Sequence, residues 1–207
     1  MKYFIGVISI LLLIFFGYEI FRGVTKKPAT PKAPASQALS TKPLHEWAST
    51  GASVSVTTQG PVYGNELYHE IRMTVSRRER TIDIIEGYQG LVIETKSYPN
   101  NQDAYDIFLR ALEVSGFGKE QKPTATDELS TCNQGYHYIY ELKNTSSAQD
   151  DKRTWSVTCG VTLGSAAGNG PNIRLLFQQQ IPDYGTIAPK ANLQPLPVQK
   201  SNNPFQL

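Results

Sequence analysis

The chain has 207 residues, with 20 Lys and Arg residues, 18 Asp and Glu residues and a formal net charge of +2. Residues 51–184 nevertheless carry 12 basic against 16 acidic residues, a net charge of −4. Because nucleic-acid binding depends on the neutralisation of phosphates, this acidic balance argues against a nucleic-acid partner. A segment of this length is sufficient to bury one hydrophobic core, so we expect one domain.

A nearly unbroken apolar run begins at Tyr3 and ends at Phe21, with Glu19 as its one charged residue. As a helix this run is about 28 Å long, which approaches the ~30 Å hydrocarbon core of a bilayer. A helix at the surface of a soluble domain shows a polar face, and this run shows none. We therefore predict that residues 1–22 form a transmembrane anchor, which makes a membrane the first partner of the chain.

The anchor is predicted to stay uncleaved, as a signal anchor. A signal peptide has a shorter apolar region with a small-residue cleavage site close behind it. In this chain the nearest such pattern, residues 33–35, lies well beyond the run and has Pro34 in its centre.

Two features of the sequence disagree about the side of the membrane on which the remaining chain lies. Arg22, Lys26 and Lys27 follow the apolar run, and the positive-inside rule taken alone places them in the cytoplasm. Two cysteines and a long spacer, residues 23–50, rich in Pro, Ala, Ser and Thr, favour the extracytoplasmic side. We predict a single-pass protein with an extracytoplasmic domain, and a cytoplasm-facing membrane adaptor is the alternative.

Side chains between residues 51 and 100 alternate with the period of two that is typical of strands. The pattern predicts a four-stranded meander, with strands at residues 53–58, 67–75, 81–86 and 91–98. The turn between the second and third strands concentrates three basic side chains, Arg77, Arg78 and Arg80.

A helix is predicted directly after the meander. Asn100 suits the N-cap position, and Asp103 follows three residues later. Gly116 suits the C′ position that closes the helix, with Phe117 available for the accompanying hydrophobic contact.

A shorter unit of two strands and one helix follows. The first of these strands carries alternate tyrosines, Tyr136, Tyr138 and Tyr140, and the second covers residues 153–160. Pro171 suits the first turn of the second helix, and Pro182 ends it.

The element order ββββα–ββα predicts an α+β fold over residues 51–184. We expect an antiparallel sheet of about six strands with two helices on one face, and an opposite face that is solvated or meets a partner. Residues 185–207 contain several prolines and no periodicity, so they are predicted to be a disordered tail.

The two cysteines, Cys132 and Cys159, are predicted to form a disulfide bond, as is common in extracytoplasmic domains. In the chain-entropy description such a bond stabilises the fold by roughly 3–4 kcal/mol. The alternative is a pair of unrelated buried thiols.

No stretch of the sequence has the spacing of a catalytic or cofactor motif. The Gly-rich residues 163–174 lack the Lys-Ser/Thr pair of a phosphate-binding loop. His45, His69 and His137 are scattered and show no metal-ligand spacing. We therefore predict no cofactor, no metal site and no enzymatic activity.

Two groups of residues are candidates for contact with a partner. Arg77, Arg78 and Arg80 would suit an acidic partner or lipid headgroups, although most such clusters are solvated turns. The tyrosine row of Tyr136, Tyr138 and Tyr140 has core or sheet-face packing as its ordinary role. If these rings are exposed, stacking on a glycan or a peptide is a better interpretation than stacking on RNA.

Several segments resemble a group of uncharacterised single-pass, membrane-anchored proteins of candidate-phylum bacteria such as Saccharibacteria. The resemblance covers residues 55–184 and depends on GYQGLVIETKSYPNNQDAYDIFLRALEVSGFGKE, CNQG, YIYEL, RTW, CG, RLLFQ and IPDY. It implies a bacterial cell-envelope location and no assigned activity.

The sequence thus favours a membrane-anchored extracytoplasmic domain that binds a protein or envelope component without catalysis. An enzyme acting on envelope polymers is the second hypothesis. A deep pocket with clustered ionisable side chains would favour the enzyme.

Overall fold

The structure is a computed structural model that describes residues 42–125, 127–128, 130–160 and 164–193. The predicted membrane anchor, residues 1–22, lies outside these ranges. Within them, no helix has both the length and the apolar character needed to cross a bilayer.

The described chain has the predicted α+β class, with one antiparallel six-stranded sheet. The strands are β1 (Ala52–Gln59), β2 (His69–Ser76), β3 (Glu79–Glu86), β4 (Leu91–Pro99), β5 (His137–Asn144) and β6 (Lys152–Val157). Three α-helices accompany the sheet: α1 (Gln102–Val114), α2 (Gly170–Gln178) and the short α3 (Tyr184–Ile187). Short 3₁₀ segments are Leu44–Ser49, Asn65–Leu67, Ala148–Asp150 and Ala188–Ala191.

The strand order is β4-β3-β2-β1-β5-β6, so the first strand of the chain lies in the middle of the sheet. The other three strands of the meander, β2–β4, lie on one side of β1, and the β5–β6 hairpin pairs along its other side through β5. Within the sheet, the two sequence units therefore join through a single strand pair, β1 with β5, in which Val56 lies opposite Tyr140.

One face of the sheet and both longer helices share a single hydrophobic core. The alternation predicted for β2 is present, since Ile71, Met73 and Val75 are buried and the residues between them are half-exposed. Between the helices, the rings of Phe108 and Phe177 meet edge to face with centroids 5.1 Å apart. Apolar burial on this scale is the main stabilising term of a domain of this size.

At the ends of α1, the predicted N-cap residue was wrong by one position, whereas the predicted C-terminal glycine is confirmed. Asn101 is the N-cap, and its side chain accepts a hydrogen bond from the Ala104 N–H. Asn100, the predicted cap, instead donates from its side chain to the Ser76 carbonyl oxygen. Gly116 has a left-handed φ of 82°, and Phe117 donates back to the Leu112 carbonyl oxygen, as expected for a glycine-terminated helix.

The folded region extends beyond the predicted limits of 51 and 184 at both ends. Leu44–Ser49, assigned to the spacer, forms a 3₁₀ turn that buries Trp47 and Ala48 in the core. Residues 185–193, assigned to the disordered tail, contain Ile187 and Ala191, which are 1% and 0% exposed. These segments show no periodic pattern because they contain few apolar residues at irregular spacing. Both segments nevertheless pack against the core.

Candidate functional site

Tyr138 and Tyr140 of the predicted tyrosine row lie on the core side of β5, whereas Tyr136 directly precedes this strand instead of belonging to it. Tyr140 is buried, and its hydroxyl lies 3.4 Å from the hydroxyl of Ser156. Tyr138 and Tyr136 are half-exposed at the same face, and their rings stack with centroids 6.4 Å apart. Core packing therefore accounts for Tyr140, whereas the other two rings reach the surface.

Helix α2 places a cation against this row. The guanidinium carbon of Arg174 lies 3.8 Å from the centroid of the Tyr138 ring, a cation–π contact. Nη1 of Arg174 also donates to the Tyr140 hydroxyl over 3.1 Å. Because Ile173 and Phe177 of the same helix are buried in the core, the side chain of Arg174 is held at the rim of the sheet.

An open groove of about 450 Å³ lies beside this pair, and we call it the Tyr138–Arg174 groove. Its walls come from the strand ends, from α2 and from the segment around α3. The lining residues are Thr58, Ile71, Tyr136, Tyr138, Arg174, Gln178, Tyr184, Gly185, Ala188, Pro189, Asn192 and Leu193. Its size and its mixture of apolar and polar groups suit a small ligand or a short segment of a larger one.

A second, smaller cavity of about 260 Å³ is lined by the same two residues. It also contacts Ser156, Gly168 and Pro171. Tyr138 and Arg174 thus line both cavities.

The wall of the groove around α3 is attached to the edge strand β4 by polar contacts. Lys96 pairs with Asp183 over 3.0 Å, and Lys190 pairs with Glu94 over 2.7 Å. The Tyr98 hydroxyl also donates to the Asp183 carboxylate. Such partly exposed pairs contribute little stability each, but they fix where this segment lies.

The phenols of Tyr138 and Tyr184 in the groove stay protonated at physiological pH. Burial raises the pKa of Tyr138, an effect that the charge of Arg174 partly offsets. Burial likewise raises the pKa of Tyr184, whose hydroxyl accepts a hydrogen bond from Gln178 Nε2 over 3.2 Å. Each phenol therefore retains an O–H that can donate to a ligand.

The predicted disulfide between Cys132 and Cys159 is present. It joins the segment before β5 to the segment after β6. Between them, Thr158 Oγ1 accepts from the Tyr136 N–H over 2.9 Å. The disulfide therefore braces the segment just before β5, to which the groove residue Tyr136 belongs.

Gly135 has no space for a side chain beside this bond. A Cβ at that position would lie 2.5 Å from Cys132 Sγ and 2.8 Å from Cys159 Sγ. The glycine is therefore required for the backbone to pass the disulfide.

The three arginines of the β2–β3 turn lie elsewhere. Arg77 Nη1 donates to the Ser49 carbonyl oxygen, and Arg80 Nη2 donates to the Pro99 carbonyl oxygen, while Arg78 is exposed. In the sheet, Arg80 lies opposite Val75 of β2. Ile71 lies four residues from Val75 along β2, and it is aligned with Tyr138 across the intervening strand β1. At about 3.3 Å per residue the two candidate groups are separated by roughly 13 Å along the strands alone, so they form no common site.

Ionisable side chains also line a shallow cleft of about 500 Å³ beside α1. It is lined by His45, Glu46, Asp103 and Asp106, and the side chains of Glu46 and Asp103 are exposed. His45 Nδ1 lies 2.9 Å from Glu113 Oε2, and this hydrogen bond lowers the pKa of Glu113. Across the described ranges, no group of three or more His, Cys, Asp or Glu side chains is arranged to hold a metal ion.

Sequence reasoning identified Tyr136 and Tyr138 of the groove but missed Arg174, Gln178 and Tyr184. One signal was available, since Arg174 is the only basic residue between Arg153 and Lys190. A single basic residue on an otherwise uncharged amphipathic helix is a candidate for contact with a ligand.

The chain matches no protein-family model and has no significant match among curated proteins.

Proposed function

We propose that this chain is a membrane-anchored extracytoplasmic domain that binds a protein or cell-envelope component without catalysis. The observation that carries the proposal is the Tyr138–Arg174 groove, an open cavity lined by aromatic rings and one cation. The helices on the core side of the sheet supply half of this site, which is why we assign binding to the groove rather than to the opposite sheet face.

The membrane location is supported by the apolar run from Tyr3 to Phe21. The extracytoplasmic location is supported by the Cys132–Cys159 bond, because disulfides persist in oxidising compartments. The spacer before Lys42 would let such a domain stand away from the bilayer and meet a partner.

The chemistry of the lining favours binding over catalysis. Among the described residues that line the groove, none is a His, Cys, Asp or Glu. Proton transfer and nucleophilic attack most often use these residue types. The cleft with His45 and Asp103 is lined by ionisable side chains, and it is the candidate site for the alternative, an enzyme acting on envelope polymers.

The location is tested by blocking thiols in intact cells and then comparing electrophoretic mobility with and without reductant. We expect no reactive thiol before reduction, and a mobility change on reduction. Free cysteines that become reactive only after lysis would instead support the cytoplasm-facing adaptor.

The binding role is tested by co-sedimentation of the full-length chain, in detergent, with insoluble cell-envelope material. We expect Tyr184→Ala to reduce the sedimented fraction, because Tyr184 lines the groove. Ile107→Ala is the control, since Ile107 is 68% exposed on α1, outside the groove. Equal sedimentation of both variants and the native chain would show that the groove is not the binding site.

A further inference from the structure

No carboxylate among the residues that the structure describes forms an ion pair with Arg174. Its single polar contact among the described residues is the hydrogen bond that it donates to the Tyr140 hydroxyl. The neighbouring cations differ, since Lys96 and Lys190 are each paired with a carboxylate. A half-buried guanidinium stacked on a ring, with free N–H donors, is a site that an anionic group would complete.

The groove around this cation is suited to a ring-shaped polar molecule. Tyr136 and Tyr184 present aromatic rings, and Gln178 and Asn192 add amide groups to the lining. The volume of about 450 Å³ is within the range of small-ligand sites. Aromatic surfaces combined with hydroxyl and amide groups match the alternating apolar faces and hydroxyl groups of a saccharide.

A peptide fits the same surface less well. Peptides that bind to sheets commonly do so by adding a strand to an open edge. The strands that line this groove, β1, β2 and β5, are all internal, and each is paired on both sides. Main-chain pairing is therefore not available here.

We infer that the Tyr138–Arg174 groove recognises an acidic saccharide, with Arg174 pairing with a carboxylate of the sugar while the tyrosine rings contact its ring. This inference rests on the proposed binding function and names the ligand class for the same groove. Arg174 supplies the distinction between acidic and neutral sugars, and the tyrosines supply affinity that both kinds of sugar share.

The test compares two sugars that share the same N-acetylated ring, one of which also carries a lactyl ether that ends in a carboxylate. N-acetylmuramic acid and N-acetylglucosamine are titrated into the full-length chain in detergent micelles, and binding is followed by saturation-transfer NMR of the sugar. Charge-assisted hydrogen bonds are strong enough that we expect the acidic sugar to bind about 10-fold more tightly or better. The difference should narrow as salt is added.

Three variants assign the roles. Arg174→Gln is expected to remove the preference and to leave the affinity for the neutral sugar within about 2-fold. Arg174→Lys keeps the charge and should retain part of the preference, because it loses only the planar fork. Arg110→Gln is the matched control: it removes one arginine charge from an exposed ion pair with Asp106 on α1, and it should change neither affinity. Unfolding midpoints of all variants are measured so that a loss of folding is recognised.

The outcomes separate this inference from the proposed function. Equal binding of the two sugars, or an unchanged preference in Arg174→Gln, would overturn acid recognition while the groove remained a binding site. Binding of the peptide acetyl-Pro-Pro-Glu-Pro-Pro-amide in the absence of binding of either sugar would overturn the saccharide class. If no probe binds and Tyr184→Ala also sediments like the native chain, the proposed function itself fails.

Discussion

Replacing Ile187 by alanine tests whether the segment after Pro182 belongs to the folded domain. Ile187 is 1% exposed and lies in the core cluster, although the sequence places it in a disordered tail. The substitution removes methyl and methylene groups worth about 0.8 kcal/mol each, and a cavity adds to that cost. We therefore expect the free energy of unfolding to fall by about 2–4 kcal/mol.

The measurement is urea unfolding of the full-length chain, followed by the fluorescence of Trp47 and Trp155, which are 5% and 7% exposed. For a domain of this size the expected loss corresponds to a decrease of roughly 5–15 °C in the midpoint of thermal unfolding. Ile107→Ala is the matched control, because the same atoms are removed from a side chain that is 68% exposed.

A surface substitution of this kind changes stability by about 0.5 kcal/mol or less. If Ile187→Ala lowers the free energy of unfolding as little as Ile107→Ala does, the segment after Pro182 does not pack as described. The assignment of the groove wall to this segment would then also fail.

Three further measurements address other parts of the fold. Replacing Cys132 and Cys159 together by alanine is expected to lower the free energy of unfolding by roughly 3–4 kcal/mol in urea titrations, and a loss under 1 kcal/mol would contradict the loop-entropy argument. Asn101→Ala should cost about 1 kcal/mol and Asn101→Asp much less, because aspartate also caps a helix; equal losses would contradict the capping role. Glu113 has a pKa lowered by the hydrogen bond from His45, so its contribution to stability is present above its unfolded pKa and is lost as the pH falls through the folded value. Glu113→Gln should therefore lower the thermal midpoint at pH 7 and have little effect at pH 3, and an equal effect at both pH values would contradict the assignment.

Local pattern was sufficient to predict most of the strands and helices. The β2 residues Ile71, Met73 and Val75 alternate with polar residues, and that alternation is a direct consequence of strand geometry. Gly116 likewise marks the end of α1 because few other residues adopt a left-handed φ without strain.

Non-local pairing could not be read in this way. Nothing in the residues of β1 states that β5 lies on its free side, because the choice depends on how two distant units bury their apolar faces together. The groove has the same origin: Tyr138 and Arg174 lie on different elements and meet only once α2 packs on the sheet. Isolated buried residues in short segments, such as Trp47 and Ile187, produce no periodic pattern, so the sequence alone did not reveal that they are buried.

The central position of β1 also has a consequence for how the chain folds. During synthesis the meander β1–β4 is complete long before β5 emerges, so one edge of β1 stays unpaired during that interval. An open strand edge is a template for pairing with another chain. The β5–β6 hairpin, by contrast, carries the disulfide within its own unit and can close without help from β1. We therefore expect folding to be limited by the docking of this hairpin onto β1, a long-range step of the kind that slows β-rich proteins.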